Sequence, residues 1–143
     1  PYGACVDHFQ HWVYENHEAS PKERKQKWLE LELIYMPHRD YDSMVFVKDG
    51  GIWQGQLHIY QMPFYYIDYT LAQTCAFQFW IKSEADKKSA WNNYITLCRA
   101  GGSLSFTKLV ELAKLKSPFK DGCLEEVVDY VNKWLKTFDV KNM

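Results

Sequence analysis

The sequence predicts an all-α protein, and two observations carry this prediction. Apolar residues recur at helical spacing through most of the 143 residues, as at Val6, Phe9 and Val13. Start and stop signals separate the periodic segments, and the run Ser20-Pro21-Lys22-Glu23 combines a capping serine, a helix-starting proline and a capping-box glutamate. Since no repeat or low-complexity tract interrupts the pattern, residues 1–143 are expected to form a single helical domain.

The N-terminal half is expected to hold two helices and one irregular segment. Residues about 4–16 form the first predicted helix, and the second runs from Pro21 to the residue before Pro37. A turn-like polar stretch and three glycines then break the periodicity. An irregular glycine-containing loop is therefore expected at about 36–62, in which Met44 to Lys48 are interpreted as a short strand or hairpin edge.

Further helices are predicted in the C-terminal half. The first opens at Pro63 and is expected to be buried, because few charges lie on any of its faces. The next spans about Ala85 to Arg99 and ends at Gly101-Gly102, and Ser103 or Ser105 caps the helix after it. The last helix is expected to have Asp121 as its cap and an apolar stripe of Leu124, Val127, Val128, Val131, Trp134 and Leu135.

Composition and charge argue against several functional classes. The formal net charge is −1 and the sequence pI is about 6.6, whereas nucleic-acid binding requires a basic stripe. No apolar run has membrane-spanning length, so no membrane partner is expected. The four cysteines form no Cys-x-x-Cys pair, which argues against structural zinc. A chain of this size does not need disulfides to fold, so the cysteines are interpreted as reduced thiols in a cytoplasmic protein.

Two histidines, His8 and His11, lie one turn apart on the first predicted helix. Such a pair can hold a metal ion, but two ligands do not complete a site and no third is evident nearby. The helical zinc signature His-Glu-x-x-His is absent. A solvated or capping role is therefore favoured, and no metal ligand is assigned in this chain.

The stretch from His58 to Tyr69, His-Ile-Tyr-Gln-Met-Pro-Phe-Tyr-Tyr-Ile-Asp-Tyr, is the strongest candidate site. Tyr65 and Tyr69 are four positions apart and share one helix face, with Tyr66 expected to point elsewhere. Phenols and an imidazole that converge at a helix start could donate hydrogen bonds to a developing oxyanion. Taken alone, the residues favour the other interpretation, an aromatic core stripe beside a surface histidine.

A family resemblance reverses that preference. The pattern His-x4-Pro-Phe-Tyr-x3-Tyr, from His58 to Tyr69, is followed by Tyr94-Ile-Thr-Leu-Cys-Arg-Ala-Gly-Gly-Ser103. Together they resemble the C-terminal catalytic region of the oligoendopeptidase F and thimet oligopeptidase family, and the resemblance extends to Leu135. This implies a multi-helix C-terminal segment of a zincin-type catalytic domain, from a cytosolic metallopeptidase with a deep substrate channel.

The resemblance also implies roles for individual residues. In that family a downstream histidine and tyrosines bind the substrate backbone and stabilise the tetrahedral intermediate. By motif position, His58 matches the histidine, Tyr69 best matches the transition-state tyrosine, and Tyr65 is a second candidate. Catalytic roles are therefore expected for His58, Tyr65 and Tyr69, and binding of short peptide substrates for His58, Tyr65 and Tyr66.

The family's zinc-binding motif is not found in this sequence. It comprises two histidines of a His-Glu-x-x-His helix, whose glutamate activates water, and a further glutamate. The resemblance thus implies zinc in the intact enzyme with its ligands outside this chain, and an inactive, metal-free fragment that needs a missing N-terminal body. The start at Pro1-Tyr2-Gly3, without an initiator methionine, likewise favours a cut in a longer polypeptide over ordinary processing.

A freestanding, non-catalytic helical binding or interaction module is the alternative function. Its support is the 17% aromatic content, with ten tyrosines and six tryptophans. Apolar surface left bare by a missing body would favour self-association of the fragment. A metal-binding protein that uses His8 and His11 is the third hypothesis.

Overall fold

The computed structural model describes residues 1–138, and helices are the regular elements of this range. Eight α-helices and one 3-10 helix occur among these residues, with no β-strand, so the predicted all-α class is confirmed. The chain divides into two compact units, residues 1–70 and residues from Leu71 onwards, and the division falls inside the helix Ile67–Ala85. The single domain stays a prediction. No helix in the described range is long and apolar enough to cross a membrane.

The first unit is built on two helices, α1 (Tyr2–Glu15) and α2 (Pro21–Tyr35). The capping box predicted for α2 is present. Oγ of Ser20 accepts a hydrogen bond from the backbone N–H of Glu23 at 3.3 Å, and the Glu23 carboxylate accepts one from the backbone N–H of Ser20 at 2.8 Å. A cap of this kind contributes about 1 kcal/mol to helix stability. Both predicted helices of the N-terminal half are thus confirmed.

An aromatic core joins α1 and α2. Phe9 and Trp28 are fully buried, and Leu31 is 1% exposed. The ring of Phe9 meets Trp28 edge-on with 5.3 Å between centroids, and lies 5.0 Å from the ring of Trp53. Aromatic pairs add about 0.5–1.5 kcal/mol beyond the effect of burial. The core therefore fixes α1, and with it the side chains that α1 contributes to the candidate site.

The predicted irregular loop at about 36–62 is only partly irregular. It contains helix α3 (Val45–Lys48), a 3-10 helix (Ile52–Gly55) and helix α4 (Leu57–Gln61). The strand or hairpin edge predicted from Met44 to Lys48 is wrong. Its β-branched residues favour strands, but the backbone N–H groups of Val47 and Lys48 both donate to the Met44 carbonyl at 3.0 Å. Local helical bonds satisfy the backbone because the described range offers no strand to pair with.

The segment after α3 lies directly against α2 at Gly50. This glycine has φ +80°, and a Cβ built on it would come 2.3 Å from the carbonyl oxygen of Lys25. Both the backbone conformation and the close approach therefore require glycine here. The ammonium group of Lys25 also pairs with the carboxylate of Asp49, which adds a second link between this segment and α2.

The remaining helices are α5 (Ile67–Ala85), α6 (Lys87–Ala100), α7 (Phe106–Leu112) and α8 (Cys123–Thr137). Helix α5 does not open at Pro63 as predicted. Phe64 has φ +60°, which is incompatible with a right-handed helix, so the helix begins at Ile67. The expectation that this helix is buried is also wrong, because Thr74 is its only buried residue.

Helix boundaries in the second unit follow the predicted signals with one exception. Gly101, with φ +53°, ends α6 as predicted, and Ser105 occupies the N-cap position of α7 but its side chain forms no capping hydrogen bond. Asp121 was predicted to cap α8, but Gly122 holds that position with φ +76°. No side chain caps α8, and the residue before its first turn is a glycine in the left-handed backbone conformation.

The predicted apolar stripe of α8 is partly wrong in its rotation about the helix axis. Leu124, Val128 and Leu135 are each more than half exposed, whereas Val127 is buried. The inward positions follow helical spacing but start one residue earlier, at the buried Cys123. The same face carries Tyr130 and Trp134, whose rings contact Trp80 at 5.4 and 5.3 Å.

Candidate active site

Helix α4 holds His58 close to the core of the first unit. The histidine lies in the first turn of this five-residue helix, and its carbonyl accepts a hydrogen bond from Met62 N–H at 3.0 Å. Trp53, only 7% exposed, anchors the 3-10 helix that leads into α4. A short helix joined to the core therefore carries the histidine, instead of the irregular loop that was predicted.

The chain reverses after α4 at Phe64, and a buried glutamine of α1 stabilises the reversal. Gln10 is 1% exposed. Its Oε1 accepts a hydrogen bond from Phe64 N–H at 3.0 Å, and its Nε2 donates one to the Ile59 carbonyl at 3.3 Å. A positive φ at a non-glycine residue costs of order 1–3 kcal/mol and persists only where surrounding contacts enforce it. The side-chain amide of Gln10 therefore links the residues on both sides of the turn, Ile59 and Phe64, to α1.

The turn gathers three phenols around the imidazole of His58. The ring centroids of Tyr65, Tyr66 and Tyr69 lie 6.2, 4.9 and 5.8 Å from that of His58. Tyr65 is nearly parallel to the imidazole at 5°, and the other two rings are edge-on at 74° and 88°. His58 and Tyr66 are half-buried, whereas Tyr65 is 41% and Tyr69 52% exposed. The four predicted site residues form one cluster with an open side.

Tyr66 turns towards this cluster, so the prediction that it points elsewhere is wrong. That prediction placed Tyr66 on a helix starting at Pro63, but the helix begins one residue after Tyr66. Its ring lies 5.3 Å from the ring of Tyr69. Tyr65 and Tyr69 lie together as predicted, with their rings edge-on and 5.6 Å apart.

A hydrogen-bonded chain runs behind the imidazole. Nε2 of Gln56 lies 2.7 Å from Nδ1 of His58, and the hydroxyl of Tyr2 donates to Oε1 of Gln56 at 3.0 Å. The ring of Tyr2 is also edge-on to Tyr66 at 5.8 Å. Helix α1 therefore contacts the site through both a hydrogen bond and an aromatic ring.

Gly3 allows α1 to approach the start of α5. A Cβ built on Gly3 would come 2.1 Å from Oγ1 of Thr70 and 3.7 Å from the ring of Tyr66. A contact of 2.1 Å is far inside van der Waals distance, so a Cβ at this position would require the Thr70 hydroxyl to move. Gly3 thus lets α1 pack closely against the side chains of Thr70 and Tyr66.

Two phenols of the site have raised pKa values. Burial raises the pKa of Tyr2 to about 12, with the neighbouring Tyr66 acting in the same direction and Arg39 opposing it. The pKa of Tyr69 is raised first by partial desolvation, and then by the charge and hydrogen bond of Tyr65. Phenols already keep their protons at neutral pH, and the raised pKa values of these two hydroxyls keep them hydrogen-bond donors further into the alkaline range.

The spaced histidines of α1 are exposed and separately engaged. Nδ1 of His8 lies 3.2 Å from the hydroxyl of Tyr35, and Nε2 of His11 lies 3.6 Å from the carboxylate of Asp7. Within residues 1–138 there is no group of three His, Cys, Asp or Glu side chains that could hold a metal ion. The described residues therefore do not fit a zinc site.

Sequence patterns did not single out Gln10, Gln56 or Tyr2. Gln10 carried a usable signal, because it follows Val6 by four positions and so lies on the apolar face of α1, where a polar side chain must find a buried partner. Gln56 and Tyr2 carried none, since their contact joins residues 54 positions apart in the chain.

The second unit has an apolar groove of its own. Its volume is about 840 Å³, and its lining includes Phe79, Trp80, Lys87, Lys88, Trp91 and Tyr94. Tyr94 contacts Phe79 edge-on at 5.5 Å and Trp91 at 5.8 Å. Tyr94 and Gly101 both belong to the second segment of the family resemblance. In the structure, Tyr94 lines the groove and Gly101 ends α6.

Comparison with solved structures gives close matches. PZ peptidase A, solved with an inhibitor, is 57% identical with a TM-score of 0.92, and the match covers 97% of this chain and 25% of that one. A protein named as an oligoendopeptidase F is 53% identical with a TM-score of 0.93 over 100% of this chain and 25% of its own. Another protein of that name, from Bacillus anthracis strain Ames, is 44% identical with a TM-score of 0.78 over 100% and 22%.

The chain spans about a quarter of the length of these solved relatives. Among curated proteins, none gives a significant sequence match. The sequence profile of peptidase family M3, in contrast, matches residues 3–129, which is most of the chain and includes the whole cluster around His58. The chain therefore belongs to peptidase family M3.

Proposed function

We propose that this chain is the substrate- and oxyanion-binding part of a zinc-dependent oligoendopeptidase that hydrolyses short peptides. The observation that carries the proposal is the imidazole of His58 with the rings of Tyr65, Tyr66 and Tyr69 within 6.2 Å of it. Membership of a peptidase family supports the reaction class. All four cysteines are free thiols, which supports a reducing, cytoplasmic location.

The chemistry of the cluster fits peptide hydrolysis. Attack on a scissile carbonyl places negative charge on its oxygen, and preorganised donors stabilise that charge more than they stabilise the substrate. The Tyr69 phenol is a donor throughout the neutral range, as any phenol with an ordinary pKa is, and the upward shift of its pKa extends this range towards alkaline pH. Loss of one such donor typically costs ~2.7–4 kcal/mol of transition-state stabilisation.

The other cluster residues have positioning and binding roles in this proposal. Tyr65 lies parallel to His58 on the open side, where it is 41% exposed and accessible to a substrate. Tyr66 is half-buried, with its ring in contact with the rings of His58 and Tyr69, and shares in substrate binding. His58 is the group through which the substrate backbone would be hydrogen-bonded.

Zinc belongs to the proposal only as a group held elsewhere. The described residues do not fit a zinc site, so no step is assigned to a metal bound by this chain. Its ligands, and the residue that activates water, would come from an N-terminal body of the enzyme. That body would be the chain's main partner, and short peptides its substrates.

The test is made in two parts. The genomic reading frame should carry a His-Glu-x-x-His motif upstream of residue 1, and the longer polypeptide should cleave a fluorogenic peptide in a chelator-sensitive manner. The 143-residue chain alone should show no cleavage above the rate without protein. Chelator-sensitive cleavage by the pure chain, or a frame without the motif, would contradict the proposal.

A further inference from the structure

The amide of Gln56 lies between two partners that differ in what they can accept. On one side Nε2 is 2.7 Å from Nδ1 of His58, and on the other Oε1 is 3.0 Å from the hydroxyl of Tyr2. An amide has a donor end and an acceptor end, so fixing one end fixes the other. The protonation state of Tyr2 is known, and it therefore determines whether Nδ1 of His58 donates or accepts a hydrogen bond.

Tyr2 fixes the acceptor end. Its hydroxyl is a phenol proton donor up to strongly alkaline pH, because burial raises its pKa to about 12. The faces and edges of its ring are occupied by Trp28, Tyr66 and the guanidinium of Arg39. Within residues 1–138 the only hydrogen bond of this hydroxyl is to Gln56. A half-buried phenol proton needs an acceptor, and the amide carbonyl supplies it.

The backbone of Gln56 is also fixed. The residue stands between the 3-10 helix and α4 with φ −86° and ψ 93°, and its N–H donates to the Trp53 carbonyl at 2.9 Å. Trp53 is 7% exposed and packs in the aromatic core. The backbone from which the Gln56 side chain extends to His58 is therefore held in place. His58 itself follows only two residues later, so both side chains leave the same short stretch of backbone.

We propose that Gln56 is a positioning residue that holds neutral His58 in the tautomer with its proton on Nε2. The Gln56 amide donates to the lone pair of Nδ1, so the ring proton must reside on the other nitrogen. Nε2 forms no hydrogen bond with any residue of the described range and is left as a free N–H donor. This inference rests on the proposed function, in which that donor would meet a peptide carbonyl or oxyanion.

The tautomer can be measured on the 143-residue chain without any catalysis. Long-range proton–nitrogen NMR spectra at a pH at which the ring is neutral distinguish protonated from unprotonated ring nitrogens. The His58 signals are assigned by their loss in His58→Gln. We expect an unprotonated Nδ1 and a protonated Nε2. A protonated Nδ1 in the native chain would overturn the proposal.

An isosteric substitution tests causation. In Gln56→Glu the carboxylate can only accept, so the tautomer should reverse to Nδ1–H. Gln54→Glu is the matched control, since Gln54 is exposed and lies two residues away in the 3-10 helix, and it should leave the tautomer unchanged. If Gln56→Glu does not fold, Gln56→Met replaces it, and a mixture of tautomers is then expected. An unchanged tautomer in the folded variant would overturn the proposal.

The consequence for activity separates this inference from the proposed function. In the longer polypeptide, Gln56→Glu should lower kcat by about 10- to 100-fold with a smaller change in KM, as for other residues that orient a functional histidine. If the tautomer behaves as expected but His58→Ala retains full activity, the proposed function fails and the tautomer assignment stands. If His58→Ala is inactive and Gln56→Glu is fully active, the role of Gln56 fails alone.

Discussion

Oε1 of Gln10 accepts a hydrogen bond from the backbone N–H of Phe64, 54 positions later in the chain, at 3.0 Å. With the bond from Nε2 to the Ile59 carbonyl, it satisfies two backbone groups of the site turn. We expect Gln10→Leu to lower the free energy of unfolding by at least about 1–3 kcal/mol, the cost of leaving either one of these two backbone groups unsatisfied. Urea denaturation of the 143-residue chain measures this.

The control for Gln10 is Gln73→Leu, the same change at an exposed position of α5. It should alter the free energy of unfolding by less than about 0.5 kcal/mol. Equal denaturation midpoints for the two variants would show that the buried amide does not stabilise the turn.

Removal of the Tyr69 hydroxyl should affect catalysis more than binding. In the longer polypeptide, we expect Tyr69→Phe to reduce kcat by about 10²- to 10³-fold with little change in KM, because a bond made only in the transition state is lost. Tyr14→Phe is the matched control, since Tyr14 is 55% exposed on α1 and its hydroxyl bonds to no described residue. An equal decrease in kcat in both variants would contradict a specific role of the Tyr69 hydroxyl in stabilising the transition state.

Cys5 should make the chain less stable at alkaline pH. Burial, followed by the charge of Glu32, raises the pKa of Cys5 from 9.0 to about 12. Between these values the unfolded thiol has lost its proton and the folded thiol has kept it, so stability falls as pH rises through this window. We expect Tm to fall less steeply from about pH 9 to 11 in Cys5→Ala than in the native chain.

For Cys5 the comparison is of slopes, because Cys5→Ala also removes buried atoms and lowers Tm at every pH. Parallel pH profiles of the native chain and Cys5→Ala would be the contrary result.

His8 and His11 should not make the chain a zinc protein. After dialysis against micromolar zinc, we expect far less than one equivalent per chain by elemental analysis, because no third ligand completes the pair in the described range. The double variant His8→Ala/His11→Ala should retain the same small amount. One equivalent of zinc that disappears in the double variant would establish a site on α1.

Apolar surface on the first unit should cause self-association. Leu33 and Ile34 are each 70% exposed on α2, and Val45 is 77% exposed on α3. In sedimentation velocity we expect the average sedimentation coefficient to rise with protein concentration, and Leu33→Glu/Ile34→Glu to suppress the rise. Gln26→Glu adds charge to an exposed position of the same helix and should not suppress it. A monomer at all concentrations would favour the freestanding interaction module.

Local signals predicted what depends on neighbours in the sequence. The capping box at Ser20 and the helix end at Gly101 each involve contacts within about one helical turn, so the residues themselves specify them. The association of Tyr65 with Tyr69 follows from the same helical spacing. The family resemblance directed attention to His58, which local patterns alone would have left as a surface histidine.

Contacts between distant residues decided what local signals could not. The left-handed backbone at Phe64 depends on Gln10, and this turn delays α5 and rotates Tyr66 into the cluster. Helical spacing alone cannot predict a contact between residues that are so far apart in the chain. The inward face of α8 was misplaced for a similar reason, since Trp80, more than forty positions earlier, determines which face is covered.

The close approach at Gly3 has a consequence for how the protein tolerates variation. The position carries no functional group, yet a single methyl there would overlap Oγ1 of Thr70 unless that hydroxyl moved. In a scan of all substitutions, position 3 should therefore accept alanine more readily than any larger side chain. The sensitivity of this position would come from the space that a side chain needs and not from any functional group.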